Sequence, residues 1–147
     1  MESRPKSDYR KSLCSLFYFY KSNLQSEWYY PYYIQLNHRI SIEVWSKNTV
    51  TFNNGDMYYD FYSAANKAYG DNQIRVDNSP VTYALYSGDV NQDGTIDLGD
   101  GSLIDNDATN FVSGYAATDV NGDGIVDVAD AVFADNNALN FISRITP

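Results

Sequence analysis

The chain has 147 residues, with 19 acids against 10 bases and a net charge of −9, which leaves room for one medium domain or two small ones. The charge is uneven: after Arg75 there are 12 acids and a single base, Arg144, whereas up to that point 7 acids face 9 bases. An acidic half of this kind repels phosphate backbones and anionic lipid, which excludes nucleic acid as an expected partner, and the lone Cys14 excludes an internal disulfide.

Residues 1–27 read as a poorly defined N-terminal segment. LCSLFYFY after a basic start has the superficial look of a targeting sequence, but its apolar run is short and tyrosine-rich, and no small-residue cleavage site follows. The run is also far too short to span a bilayer, so no membrane insertion is expected. Residues 28–87 predict a small antiparallel β module. YYIQLNHR from Tyr32, SIEVWS from Ser41, MYYDFYS from Met57 and VTYALYS from Val81 are rich in aromatic and β-branched residues, with turns at NNG from Asn53 and YGDN from Tyr69. A module of this size buries a small core at best and reads as the tail of a longer unit. His38 falls at a strand turn beside Arg39 and reads as structural. No nucleophile elbow or phosphate loop appears, so no enzyme is expected.

Near Tyr86–Gly88 the aromatic alternation gives way to acidic loops. DVNQDGTIDLGD runs from Asp89 to Asp100, and DVNGDGIVDVAD repeats it thirty positions later, from Asp119 to Asp130. A Ca²⁺ ion takes about six to eight hard oxygens, which a tight loop supplies from alternate positions and a closing carboxylate. The first loop offers side-chain oxygens from Asp89, Asn91 and Asp93, the carbonyl of Thr95, a water-mediated contact from Asp97 and the closing carboxylate of Asp100, with Gly94 at the turn. The second offers the same set as Asp119, Asn121, Asp123, the carbonyl of Ile125, Asp127 and Asp130, with Gly124 at the turn. Two Ca²⁺ ions are therefore expected. Asp, Asn and Gly also favour metal-free surface turns, but a match at every ligand position in both copies is hard to obtain from turn composition. Zinc and copper would need His or Cys, which neither loop contains; magnesium remains open, although it prefers fewer protein oxygens.

The similarity continues past the loops through Asp105 and Asp135, Asn106 and Asn136, Ala108 and Ala138, and Phe111 and Phe141, so the repeated unit is a loop plus an exit helix. The helices are weak formers: LGDGSLIDNDATNF carries two glycines and several Asp or Asn. Leu103, Ile104, Ala108, Phe111 and Val112 keep a helical apolar spacing, as do Val132, Phe133, Ala138, Phe141 and Ile142, which predicts Phe111 and Phe141 in the core.

On these residues, 88–147 resemble a type I dockerin domain, the calcium-dependent docking module of secreted bacterial glycoside hydrolases. Both loops close with Asp, and no regular entering helix precedes either, since Pro80 and the strand-like VTYALYS lead into the first and the glycine-broken VSGYAAT into the second. Residues 32–87 look, more loosely, like the β-rich region that precedes dockerin-like segments near the C-termini of large secreted bacterial proteins. The fold class implied is α+β: a β module followed by an all-α pair of calcium loop–helix repeats. One departure matters. Where such modules read cohesins through a Ser or Thr pair late in each loop and basic helix residues, this chain has Leu98 with Gly99, Val128 with Ala129, and Asp105–Asn106 and Asp135–Asn136 on the helices.

The expected function is a secreted or cell-surface, calcium-binding, non-catalytic attachment module, monomeric, with a cohesin-like or cell-envelope protein as partner. That partner would meet Leu98, Asp105, Asn106, Val128, Asp135 and Asn136. The parent protein would degrade polysaccharide. The alternative is a glycoside hydrolase or carbohydrate-binding fragment whose activity lies in the aromatic half, where Trp28, Tyr29, Tyr30, Tyr32 and Trp45 would stack on sugar rings.

Overall fold

The computed structural model describes residues 15–21, 31–53 and 56–147. The expectations for the rest of residues 1–27, for Cys14, and for Trp28, Tyr29 and Tyr30 fall outside them, as does most of the NNG turn.

Strands β1 (Ser15–Lys21), β2 (Tyr32–His38) and β3 (Ser41–Trp45) form an antiparallel meander in that order. β1 pairs with β2 from Ser15 opposite His38 to Lys21 opposite Tyr32. The β2–β3 pairing shifts register between Leu36 and His38. In β3, Ile42 and Val44 are fully buried while Glu43 and Trp45 are half-buried, the alternation expected of a strand covered more heavily on one face. β4 (Ile74–Asn78) and β5 (Val81–Ala84) form a separate antiparallel hairpin.

The expected strand at residues 57–63 does not form. The Asp60 carboxylate accepts from the backbone N–H groups of Tyr62 and Ser63 at 2.9 and 3.1 Å and turns the chain locally, and such side-chain bonds compete directly with a ladder. The Tyr59 hydroxyl donates to the Lys67 carbonyl and accepts from Lys47 N–H, which pins this irregular stretch beside two short 3₁₀ turns at Ala65–Lys67 and Tyr69–Asp71.

Helices α1 (Leu98–Thr109) and α2 (Val128–Leu139) each follow one acidic loop. Asp97 and Asp127 are their N-caps. Each makes a reciprocal capping box with the acid three positions on, Asp100 or Asp130. Both helices end in the same way. Asn110 and Asn140 are the C-caps, followed by Phe111 and Phe141 at φ 54° and 55°. Phe111 N–H bonds to Ala108 O and Val112 N–H to Asp107 O, and Phe141 and Ile142 repeat these bonds to Ala138 and Asn137. This is the Schellman pattern, with Phe where glycine is usual. Because the chain leaves the helix at the cap, the apolar spacing does not continue to the phenylalanines. Phe111 and Phe141 are 89% and 88% exposed rather than in the core.

The expectation of an all-α pair of loop–helix repeats behind a β module is overturned. The described residues hold two small antiparallel sheets and only two α-helices, and the repeats are not closed by helix packing alone. Antiparallel bridges tie Thr95 to Ser143 and Ser113 to Ile125, crossing each loop with the chain that follows the other repeat's helix. Ile42 from β3 joins Val90, Ile96, Ile104, Val120, Val126, Ala131 and Ala134 in one apolar cluster. Two weak helices of 12 residues each bury too little alone, so a strand and two bridges complete their core.

Candidate metal centres

Each loop is wound around its first and last acid. In loop 1 the Asp100 carboxylate is fully buried; Oδ1 accepts from Val90 and Asn91 N–H at 2.9 and 3.2 Å, and Oδ2 accepts from Asp97 N–H at 3.0 Å. Asp89, 2% exposed, accepts from Asp93 N–H through Oδ1 and from Gly94 N–H through Oδ2. The exposed Asn91 and Asp93 bond to each other, with the Asn91 amide donating to Asp93 Oδ2 at 3.0 Å. Asp93 Oδ1 also accepts Thr95 N–H, and Asp97 Oδ1 caps Gly99 N–H.

Loop 2 repeats this winding closely. Asp130, also fully buried, accepts from Val120, Asn121 and Asp127 N–H at 2.8, 2.9 and 2.9 Å. Asp119 accepts from Gly124 N–H and, through its other oxygen, from Gly122 N–H. The Asn121 amide donates to Asp123, Asp123 accepts Ile125 N–H, and Asp127 caps Ala129 N–H. Gly94 and Gly124 turn at φ 91° and 86°, a conformation a side chain resists. Thr95 and Ile125, expected to offer carbonyls, lie at the bridges that close the loops.

Several acids thus face one another. Burial pushes the Asp89 carboxyl up to about 6, helped by the charges of Asp100 and Asp93 and opposed by the two amide donors. Among the described residues no three His, Cys, Asp or Glu side chains form a metal cage by themselves. An ion held here would draw on Asn91 or Asn121 and on backbone carbonyls as well as on acids. The donor set fits a hard cation: all oxygen, anionic, without imidazole or thiolate. Asp89 and Asp119 each accept two amide hydrogens, and a carboxylate with about four lone-pair positions keeps roughly half of them.

Outside the acid frame the copies differ. At the fourth position loop 1 has Gln92, at φ 59°, where loop 2 has Gly122 at φ 79°. The Gln92 amide lies within 3.3 and 3.4 Å of the Arg39 and Ser41 carbonyls and 2.5 Å from that of Asp89. The Arg144 side chain lies over Gly94, so that an added Cβ would meet its Cδ at 2.6 Å, whereas nothing lies within 4 Å of the same point at Gly124. Neither Gln92 nor Arg144 is a predicted site residue. The signals for them were a long polar side chain where the matched loop has glycine, at the fourth position, and the single base of the acidic half.

Elsewhere the chemistry is thin. His38 is held below its usual pKa by burial and by Arg39, which favours the neutral ring. Tyr32 packs edge-on against Phe52 at 5.7 Å, and the Trp45 indole donates to Glu43, so these two aromatics are engaged internally. Among the described residues no helix is long and apolar enough to cross a membrane. Comparison with family models, with curated proteins and with solved structures found no match.

Proposed function

We propose that the chain is a calcium-binding, non-catalytic attachment module that acts outside the cell, as the dockerin-like loop sequences imply. The observation that carries this reading is the duplication of two acid-lined loops, each wound by the same three bonds on a buried closing Asp that also completes the capping box of the following helix. A metal-free turn has no need of buried like charges, whereas a loop that takes Ca²⁺ does. Each site takes one ion, held in loop 1 by Asp89, Asn91, Asp93, the Thr95 carbonyl, Asp97 and Asp100, and in loop 2 by the equivalent six. Mutual repulsion of these carboxylates links folding of the region to the metal.

Attachment is supported by what the helices leave outside. Leu98 and Val128, 82% and 75% exposed, occupy equivalent positions at the two helix starts, and Asp105, Asn106, Asp135 and Asn136 are exposed beside them. An apolar groove of about 780 Å³ between the start of α1 and the end of α2 is lined by Leu98, Leu139 and Phe141. We assign this paired face to a cohesin-like or cell-envelope protein. The test is capture of envelope and secreted proteins on the immobilised chain, with and without chelator, beside Leu98→Asp, Val128→Asp and the double variant. The reading predicts a calcium-dependent partner that tolerates either single change and is lost with both. Soluble polysaccharides should give no heat on titration; measurable heat would favour the sugar-binding alternative.

A further inference from the structure

The two loops are built alike but are not connected alike. Loop 1 lies on the β2–β3 hairpin. Gln92 reaches the Arg39 and Ser41 carbonyls of that hairpin and, from the same amide, the carbonyl of Asp89. Arg144, over the loop 1 glycine, bonds through its own N–H to Gly94 O at 2.9 Å and pairs with Glu43 of β3 at 3.9 Å. Glu43 in turn accepts from Gln35 of β2 at 2.6 Å and from the Trp45 indole at 3.1 Å. The approach to the loop is bonded to the same hairpin, Gly88 N–H to Ile40 O at 2.6 Å and Ile42 N–H to Tyr86 O at 2.9 Å.

Loop 2 has none of these side-chain connections among the described residues. Gly122 has no side chain, and the space beside Gly122 and Gly124 is open. Among the described residues its polar tether to the hairpin is Arg39, which donates to the Ala116 carbonyl and stacks over Tyr115 at 4.1 Å. Both contacts precede the loop.

From this contrast we infer that loop 1 is a metal-operated clasp on the β2–β3 hairpin, with Gln92 as its positioning residue, while loop 2 holds its ion without effect on the sheet. The inference rests on the calcium reading above. The physical link is short. Asp89 offers its carboxylate to the ion and its carbonyl to Gln92, so an ion that fixes Asp89 also fixes the acceptor that holds Gln92 in its left-handed conformation. That conformation is strained for a residue with a Cβ. Without the ion, repulsion among Asp89, Asp93 and Asp100 loosens the loop, and Gln92 can relax to ordinary backbone geometry and release the hairpin.

The test is amide hydrogen exchange of the full chain, read by mass spectrometry over residues 32–45, with and without Ca²⁺, alongside a calorimetric count of bound ions. Four proteins are compared: the parent, Asp93→Ala, Asp123→Ala, and Gln92→Gly, which installs the residue loop 2 already has. In the parent and in Asp123→Ala, calcium should slow exchange of the hairpin by about tenfold, the worth of one or two net hydrogen bonds. In Asp93→Ala it should not. Gln92→Gly should bind two ions and yet lose the hairpin response. Two bound ions with equal hairpin protection in Asp93→Ala and Asp123→Ala, or a full response in Gln92→Gly, would overturn the clasp and leave the calcium reading intact. No bound calcium in the parent would overturn both.

Discussion

Loop 1 and loop 2 hold the same acids and wind on their closing Asp by the same bonds, yet Gln92 and Arg144 cover one turn and open space lies beside the other. What the chain shares between copies is the part a metal would need: the first and closing acids, the turn glycine and the capping box. What it varies includes the fourth position and the residues packed over the turn. On the calcium reading, the same acidic loop is given two mechanical settings without a change in its acids.

The largest expected effect treats the copies as equals. If both hold calcium, a hundredfold excess over each dissociation constant stabilises the fold by about 2.7 kcal/mol per site, so chelation should lower the melting temperature of the whole chain markedly. Scanning calorimetry with and without chelator reads this directly. Equal melting temperatures would break the comparison at its root.

Next is the pair Asp100→Ala and Asp130→Ala. Each removes the acceptor of three buried or partly buried backbone N–H groups, at about 1–3 kcal/mol for each group left unsatisfied. In the presence of chelator, urea denaturation should show losses of roughly 3 kcal/mol or more for both, and similar to each other. Closely matched losses confirm that the frames are equivalent inside; a large gap shows that the hairpin contacts decide the stability of loop 1.

Gly94→Ala and Gly124→Ala separate the copies. Both pay about 1–2 kcal/mol for a left-handed residue with a Cβ, but only Gly94→Ala also displaces Arg144 from its place over the turn and from Glu43. The excess should be about 0.5–1 kcal/mol, as for an exposed ion pair with some packing. It should vanish in an Arg144→Ala background.

A smaller effect concerns the helix ends. Phe111→Gly and Phe141→Gly relieve a positive φ at little cost in burial, and each should gain about 0.5–1 kcal/mol after the greater chain entropy of glycine is allowed for. Thermal denaturation checks this. Gains at both sites together with weakened partner binding would show that stability is given up there for an exposed aromatic.

Much of the loop geometry was legible in the sequence because its information is local. The first and closing acids, a turn glycine and a capping acid fall within twelve residues, and the repeat states the pattern twice. The β2 and β3 strands were legible for the same reason, through their local richness in aromatic and β-branched residues. The strand at residues 57–63 was misread because the aromatic pattern says nothing of Asp60, whose side chain takes the amides a ladder would use. Phe111 and Phe141 were misread because helical spacing was carried past the caps at Asn110 and Asn140. β1 was read as an apolar run rather than as the strand its aromatic content also suits. The all-α reading failed on a long-range fact. Ile42 reaches the loop core from a strand nearly fifty residues upstream of Val90, a contact no local pattern announces.

The central claim, that each loop takes one calcium ion, is tested most directly by calorimetric calcium titration of the full chain beside Asp93→Ala, Asp123→Ala and the double variant. These two acids are exposed and lie outside the buried frame, so their loss removes a ligand while sparing the fold. The account predicts two ions for the parent, one for each single variant and none for the double. A parent that binds no calcium, or single variants that still bind two ions, would contradict it.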